Sequence, residues 1–337
     1  MVLLNTETGL FEEFIGRHIP EYAILSHTWE DEEVSFQDMS DPASRSKKGF
    51  AKIDMTCRQA AGAGILYAWV DTCCIDKSSS AELTEAINSM YVWYGRAKIC
   101  YVYLSDLAAS ASLDEELPKC RWFTRGWTLQ ELRAPEHIDF FDRFWQFRGT
   151  KRDLLEPLSK ITGIRSRVLA HEEALSSVCV AQKMSWAANR ETTRIEDTAY
   201  CLFGIFDINM PLLYGEEHKA FRRLQEEIIR SSHDLSIYAW KIQPDTPAFG
   251  ELMGVEGRRY SGVLAFSPDE FAGCRSYWAP DYGGDSSDSQ LSNRGIKMRA
   301  MKYRELVHPP LRERLARRSL NSSSEVRISS FSSSTPR

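Results

Sequence analysis

Apolar runs alternate with amphipathic stretches along the first 145 residues of the chain. Unbroken apolar runs occupy residues 21–26, 65–71, 99–104 and 138–141. Between them, apolar positions recur at helical spacing over residues 50–61 and 83–94, the latter after a capping box of Ser79 and Glu82. Runs without alternation are typical of strands buried on both faces. Their alternation with helices predicts a doubly wound parallel α/β sheet.

Polar residues follow these strands at their carboxyl ends. Doubly wound sheets bind their ligands outside this edge. The residues that the sequence places there are Ser26, His27, Asp71, Cys73, Asp76, Ser105 and Asp106. The sequence has no Gly-x-Gly-x-x-Gly or Gly-x-x-x-x-Gly-Lys loop, which argues against an ordinary Rossmann or P-loop phosphate cradle.

Residues 121–132 gather two tryptophans, two arginines and a carboxylate at the head of a predicted helix. Trp127 and Glu131 are four residues apart and would share a helix face. A carboxyl group beside an indole is a candidate for a perturbed acid. The alternative is structural: both tryptophans belong to the core, and Glu131 pairs with an arginine.

The sequence divides into four regions. Residues 20–145 form the predicted α/β core, and residues 146–240 form a helical extension with helices over 199–206 and 216–231 and a strand over 235–240. Residues 241–300, rich in Pro, Gly and Ser, are expected to be a small β-containing appendage. Residues 301–337 turn Arg-rich and then Ser-rich, which predicts a disordered tail.

Composition narrows the possible functions. A formal charge of −5 over 337 residues gives no support for binding to nucleic acid or to an anionic membrane surface. No apolar run approaches the roughly 20 residues of a membrane span, and the amino terminus lacks a signal-peptide core, so we expect a soluble cytoplasmic protein. The eight cysteines include no Cys-x-x-Cys pair, and the histidines lack ligand spacing. Reduced thiols are therefore expected, with no metal site.

Three segments, in order, resemble the fungal heterokaryon-incompatibility (HET) domain. They are residues 22–29 (YAILSHTW), 69–77 (WVDTCCIDK) and 125–132 (RGWTLQEL). The resemblance continues through residues 184–240 and covers roughly residues 20–300. It ends after Met298 and Arg299, beyond which the sequence departs from the β-rich continuation expected of the family.

The resemblance implies an effector of fungal non-self recognition that triggers growth arrest or cell death. HET domains also look like distant relatives of Toll/interleukin-receptor (TIR) domains, which share the doubly wound, flavodoxin-like sheet. The TIR motif Trp-Cys-x-x-Glu-Leu is similar to residues 127–132 here, with Thr128 in place of the cysteine. In catalytic TIR domains this glutamate is essential for cleaving the nicotinamide–ribose bond of NAD.

That likeness implies a set of site residues, with NAD as substrate and no bound cofactor. Glu131 would stabilise the ribosyl cation. Trp127 would wall the pocket, Ser26, His27 and Trp29 would hold ribose or nicotinamide, Asp71 or Asp76 would bind ribose hydroxyls, and Arg125 would bind a phosphate or pair with Glu131.

Two alternatives remain open. His27 is as well explained by packing as by ligand binding. The whole domain could also be a non-enzymatic module that acts by homo-oligomerisation and recruitment of an activating partner that the sequence does not identify.

Overall fold

The computed structural model describes residues 1–16, 18–241 and 263–277, together with the backbone of three strands between residues 289 and 328. Within this part, no helix is long and apolar enough to cross a membrane. All eight cysteines are free, and seven of them are buried. This confirms the expectation of reduced thiols.

A seven-stranded mixed sheet forms the centre of the protein. Its strands are β1 (Val2–Asn5), β2 (Phe11–Glu13), β3 (Tyr22–His27), β4 (Tyr67–Trp69), β5 (Ile99–Tyr103), β6 (Ile138–Phe141) and β7 (Phe147–Thr150). They lie in the order β2-β1-β4-β3-β5-β6-β7. The four inner strands are parallel, whereas β1, β2 and β7 pair antiparallel at the two margins.

The parallel strands correspond to the four predicted apolar runs. Taken in chain order, they lie 2-1-3-4 across the sheet, which is the flavodoxin-like arrangement. All six residues of β3 are buried, because β3 lies inside the sheet and helices cover its faces. The predicted α/β fold class is therefore confirmed.

Ten α-helices complete the described chain. They are α1 (Phe50–Gly62), α2 (Ser80–Arg96), α3 (Leu113–Glu116), α4 (Thr128–Arg133), α5 (Leu155–Thr162), α6 (Ser166–Leu169), α7 (Val180–Ser185), α8 (Asp197–Tyr200), α9 (Phe203–Phe206) and α10 (Lys219–Ser231). The Ser79 hydroxyl accepts the backbone N–H of Glu82 and caps α2, as the sequence predicts. The Glu82 carboxylate accepts from the Asp76 N–H instead of completing the capping box.

The helical extension packs directly on the core. Helix α9 lies on α2, and a Cβ added at Gly204 would fall 2.0 Å from the Cβ of Tyr91. Only glycine therefore allows this close approach. The single helix predicted over residues 199–206 is wrong in detail, since a turn at Cys201 and Leu202 divides it into α8 and α9.

The strand predicted over residues 235–240 is also wrong. Residues Leu235–Tyr238 form a 3-10 helix. Asp234 caps it by accepting the Ser236 N–H at 2.8 Å, and the Ser236 hydroxyl accepts the N–H of Ala181. These local polar contacts override the apolar, strand-like pattern.

The described residues beyond 241 contain one 3-10 helix, Pro268–Cys274, which packs against α7. Strands β8 (Ser289–Ser292), β9 (Gly295–Arg299) and β10 (Glu325–Ile328) pair antiparallel in a second sheet. The β-containing appendage was predicted over 241–300, but β10 falls within the predicted disordered tail. Residues 325–328 depart from that prediction because they pair with β9; the rest of the tail lies outside the described residues.

Candidate active site at the carboxyl edge of the parallel sheet

Four of the candidate residues lie together beyond the carboxyl ends of the parallel strands. Ser26 and His27 are the last two residues of β3, and Asp71 follows β4. Glu131 reaches this edge from α4, which packs against β3. The crossover connections of a doubly wound sheet deliver their first loop residues to one edge, which explains the grouping of the first three.

Residues 124–128 position the start of α4. Arg125 forms a β-bridge with Glu191, and the Gly126 N–H donates to the Glu191 carbonyl at 2.9 Å. A Cβ at Gly126 would lie 2.5 Å from Thr192 Cγ2, so a larger residue here would force Thr192 to move. The Thr128 hydroxyl then donates to carbonyls of the preceding turn. The extension thus fixes where α4 begins.

Glu131 is enclosed and has one close hydrogen-bond donor. The side chain is 5% exposed, and the Ser26 hydroxyl donates to its Oε2 at 2.5 Å. Ser26 Oγ in turn accepts the indole N–H of Trp122 at 2.8 Å. Tyr94 also faces the carboxyl group, but its hydroxyl proton is donated to the Leu25 carbonyl at 2.8 Å. Ser26 therefore supplies the main polar contact, and no cation among the described residues forms an ion pair with Glu131.

Burial raises the pKa of Glu131 to about 8, and the negative charge of Asp71 adds to the shift. Ser26, Tyr94 and the more distant Arg190 oppose it. Desolvation outweighs them because a carboxylate in a dry site loses its water and gains only partial compensation. Glu131 is therefore a neutral acid at pH 7 in this closed arrangement.

His27 lies between two carboxylates without a hydrogen bond. Its Nε2 is 3.8 Å from Glu33 Oε1, and its Nδ1 is 3.8 Å from Asp71 Oδ1. Within the described chain, neither ring nitrogen has a hydrogen-bond partner, and neither does Asp71 Oδ1. The oxygen of a ligand hydroxyl or of a water could bridge Nδ1 and Oδ1. Placed to one side of the line between them, it could form an ordinary hydrogen bond with each atom.

Trp29 covers this region from the outside. Its indole N–H donates to Asp71 Oδ2 at 2.7 Å, and Lys77 Nζ lies 3.9 Å from the ring centroid. The Trp29 side chain is half exposed, so it forms the outer surface of the cluster. These contacts hold the loop after β3 against the loop after β4.

A charged network that the sequence did not single out supports the loop after β3. Lys52 of α1 is buried, donates to Glu33 Oε1 at 2.5 Å and lies 3.1 Å from Glu30 Oε2. Burial would raise the pKa of Glu33, but His27 and Lys52 hold it at about 2. A cavity of about 260 Å³ lies beside this network, lined by Glu30, Asp31, Lys48, Gly49 and Lys52.

Arg125, Trp127 and Asp76 do not join the group around Glu131. The Arg125 guanidinium donates to Thr193 at 2.9 Å, not to Glu131. The Trp127 indole lies towards Asp197 of α8, 3.4 Å from its Oδ2. Arg125 and Trp127 thus face the extension.

Asp76 lies on the loop before α2, where it accepts from Gln37 at 2.6 Å and from the Ser78 hydroxyl at 2.6 Å. These bonds organise the loop, and they occupy Oδ1. The carboxylate is not brought to Ser26 or Glu131 by any contact in the described chain.

Sequence reasoning missed the residues that define the surroundings of Glu131. Tyr94 and Trp122 looked like ordinary core positions, and both are indeed almost fully buried. Their polar atoms matter only because the fold brings them to Glu131 and Ser26. Lys52, an isolated lysine within an amphipathic helix, gave no signal at all. The described residues also contain no group of three or more His, Cys, Asp or Glu side chains placed to hold a metal ion.

Comparison with known proteins identifies the domain. The family described as "Heterokaryon incompatibility protein (HET)" matches residues 22–116, which include Ser26, His27 and Asp71 but not Glu131. A second family, "Domain of unknown function (DUF8212)", matches residues 219–279. No solved structure matches.

One relative extends the similarity. The vegetative incompatibility protein HET-E-1 of Podospora anserina is 49% identical over 220 residues. The match covers 62% of this chain and 16% of that protein, so the chain corresponds to a small part of its relative. These matches show that the chain carries a heterokaryon incompatibility (HET) domain, which the family match places at residues 22–116.

Proposed function

We propose that this chain is an effector of fungal heterokaryon incompatibility that triggers cell death by hydrolysing the nicotinamide–ribosyl bond of NAD, with Glu131 as the central carboxyl group. The supporting observation is the placement of Glu131, which is buried and bonded to Ser26 at the carboxyl edge of a doubly wound sheet. The likeness of residues 127–132 to the TIR motif and the relative's name, which concerns vegetative incompatibility, point the same way.

The proposed reaction needs one stabilising carboxylate and no acid. The bond between ribose C1′ and the pyridinium nitrogen breaks, and its electron pair leaves with neutral nicotinamide. Water attacks the resulting ribosyl cation and releases a proton, so the products are nicotinamide, ADP-ribose and a proton. Ionised Glu131 would stabilise the cation electrostatically, as carboxylates do in glycoside hydrolysis.

The substrate itself would ionise Glu131. A pyridinium cation nearby favours the charged form of a carboxyl group and lowers its pKa. Ser26 would then hold the carboxylate in place through its hydroxyl. Asp71 and His27, with unpaired atoms 3.8 Å apart, would take a ribose hydroxyl between them.

In this proposal, substrate reaches Glu131 only after the loop that carries Trp29 has moved. Glu131 and Ser26 are buried, and Trp29 links the two loops above them through Asp71. In this proposal, the described arrangement is a resting state, and an activating partner or self-assembly displaces the loop that carries Trp29. This makes turnover conditional rather than constitutive.

The test is nicotinamide release from NAD by the full chain, alone and at concentrations that promote assembly. Glu131→Gln keeps the size of the side chain and its contact with Ser26 but removes the charge that stabilises the cation. We expect at least a ~100-fold loss of turnover, the range for deleting a main electrostatic stabiliser. Glu115→Gln, at an exposed position, is the matched control. Unchanged turnover in a folded Glu131→Gln protein would remove Glu131 from the mechanism.

A second function is favoured by the exposed aromatic residues near the β7 margin. Phe144 is 65% exposed and Phe147 is 55% exposed, beside an edge strand able to pair with another chain. A non-enzymatic HET module would use such a surface for homotypic assembly. It predicts no NAD turnover under assembling conditions. It also predicts that Phe144→Ser with Phe147→Ser abolishes assembly and toxicity together, whereas Glu131→Gln leaves toxicity intact.

A further inference from the structure

Three basic side chains converge behind α4, away from the Glu131 site. Arg133 is the last residue of α4, Lys151 follows β7, and His171 follows α6. The Lys151 N–H donates to the carbonyl of Ile138, the first residue of β6. The cluster therefore lies at the level where the parallel strands begin, whereas Ser26 and Glu131 lie near their carboxyl ends.

The His171 ring lies close to both cations. Arg133 Nη1 is 2.8 Å from His171 Nδ1, and Lys151 Nζ is 3.3 Å from His171 Nε2. The Pro135 carbonyl accepts from Lys151 Nζ at 2.8 Å and lies 3.0 Å from His171 Nε2. One consistent tautomer has a neutral imidazole that donates from Nε2 to Pro135 and accepts at Nδ1 from Arg133.

Both cations are buried without a carboxylate. Arg133 is 5% exposed and Lys151 is 3% exposed, and neither forms an ion pair with any residue of the described chain. Arg133 Nε is buried with no acceptor. Burying a charge without a counter-charge is unfavourable, so a bound anion would stabilise this cluster.

The neighbouring acids are bound elsewhere or stand in solvent. Glu172 is 3.7 Å from Arg167, and Glu173 is 2.6 Å from Arg165. Glu136 acts on the cluster only through its field, from an exposed position. Among the residues that the structure describes, no carboxylate forms an ion pair with the cluster.

Burial and neighbouring positive charge lower the pKa of both Lys151 and His171. Burial and the charge of Arg133 lower the pKa of Lys151 to about 7. Burial, Lys151 and Arg133 lower the pKa of His171 to about 4. The groups that face Lys151 are Arg133, His171, Cys100 and Glu136, so positive charge dominates its surroundings.

We propose that Arg133, Lys151 and His171 form a binding site for a phosphate-type oxyanion, separate from the Glu131 site. The free Nε edge of the Arg133 fork is suited to an oxyanion, and Lys151 adds a point charge. His171 is exposed and lies over the cluster, on a backbone with φ of +60°. Its ring is the element that a ligand would displace.

The site goes beyond the proposed activity, because it does not contact Ser26, His27, Asp71 or Glu131. It would couple the end of α4 to a ligand, and Glu131 lies on the same helix. An oxyanion at Arg133 would therefore fix the helix that positions the carboxyl group.

The test is thermal unfolding and calorimetric titration of the full chain with sodium sulfate as the probe, against sodium chloride at equal ionic strength. We expect a saturable rise in Tm with sulfate, lost in Arg133→Met and in Lys151→Met. Arg152→Met removes one exposed charge from the neighbouring position and should keep the response. If Arg133→Met does not fold, Lys151→Met and titration of the wild-type chain decide the matter.

An equal response to chloride, or a full sulfate response in both Met variants, would overturn the proposal. Inorganic phosphate and AMP form two further arms. A stronger response to AMP assigns the site to a phosphate monoester, and a stronger response to phosphate assigns it to the free anion. Glu131→Gln should respond to sulfate like the wild type, so failure of the catalytic proposal leaves this one standing.

Discussion

Helix α4 buries an acid and a base two residues apart, and the two meet different surroundings. Glu131 has no cation in ion-pair contact in the described chain, and Arg133 has no carboxylate. Burial raises the pKa of Glu131 to about 8 and, beside Arg133, lowers the pKa of Lys151 to about 7. In both places desolvation drives a titrating group towards its neutral form.

The two places differ in how completely the protein fills them. Ser26 donates to Glu131, whose side chain is buried. Trp29 bonds to Asp71 at the outer surface of the same region. The Arg133 cluster keeps a buried N–H without an acceptor and is capped by the exposed ring of His171. We infer that the Glu131 site needs a conformational change before a substrate can enter. The Arg133 cluster, in contrast, needs a bound anion to complete it.

The largest expected effect is the pH dependence of the unfolding free energy that Glu131 causes. The pKa of Glu131 is raised from 4.5 to about 8 on folding, so the unfolded chain loses this proton first as pH rises. The free energy of unfolding should therefore fall from pH 4.5 to about 8, by a few kcal/mol for this group. Glu131→Gln should remove that loss, which denaturant unfolding at a series of pH values would detect. Parallel curves for the two proteins would show that Glu131 ionises normally.

The next effect concerns the basic cluster. Lys151 must be charged to hold an anion, and its pKa in the free protein is about 7. Sulfate affinity should therefore fall roughly tenfold between pH 6 and 8. Sulfate does not titrate in this range, and His171 is already neutral. Calorimetric titration should show proton uptake on binding near pH 7, and affinity that does not change with pH would contradict the role of Lys151.

The smallest effect tests the cover alone. Trp29→Phe keeps an aromatic side chain, although a smaller one, and removes the indole N–H that donates to Asp71. The Trp29 side chain is half exposed, so we expect this change to lower the unfolding free energy by about 1 kcal/mol or less. The sulfate response should stay unchanged, because Trp29 lies at the other end of the sheet. A changed sulfate response would show that the two sites are not separate.

The sequence predicts the four parallel strands because unbroken apolar runs are typical of strands buried on both faces. It does not predict the antiparallel strands β1, β2 and β7 at the two margins of the sheet. The runs at residues 65–71, 99–104 and 138–141 contain three of the four parallel strands, and the run at 21–26 contains all of β3 except its last residue, His27. The same rule failed at residues 235–240, where capping by Asp234 makes a 3-10 helix. Short-range polar contacts of this kind are invisible to an apolar pattern.

The candidate site is only partly readable from sequence. Strand ends give the edge on which Ser26, His27 and Asp71 lie, because topology alone decides it. The direction of Arg125 and Trp127 depends on contacts with Thr193 and Asp197, far along the chain. No local spacing encodes those contacts.

The cluster of Arg133, Lys151 and His171 likewise joins residues from three separate elements. Each is an unremarkable basic residue in the sequence. Their convergence, and the absence of an acid beside them in the described chain, emerge only in three dimensions.

The most direct measurement is the titration of Glu131 itself. Carboxyl-carbon NMR of the full chain labelled at glutamate would follow each side chain through pH 4 to 9. We expect one resonance that titrates near pH 8 and is missing from Glu131→Gln. A spectrum in which every glutamate titrates below pH 6 would contradict the claim that Glu131 is a neutral, buried acid at the edge of the sheet.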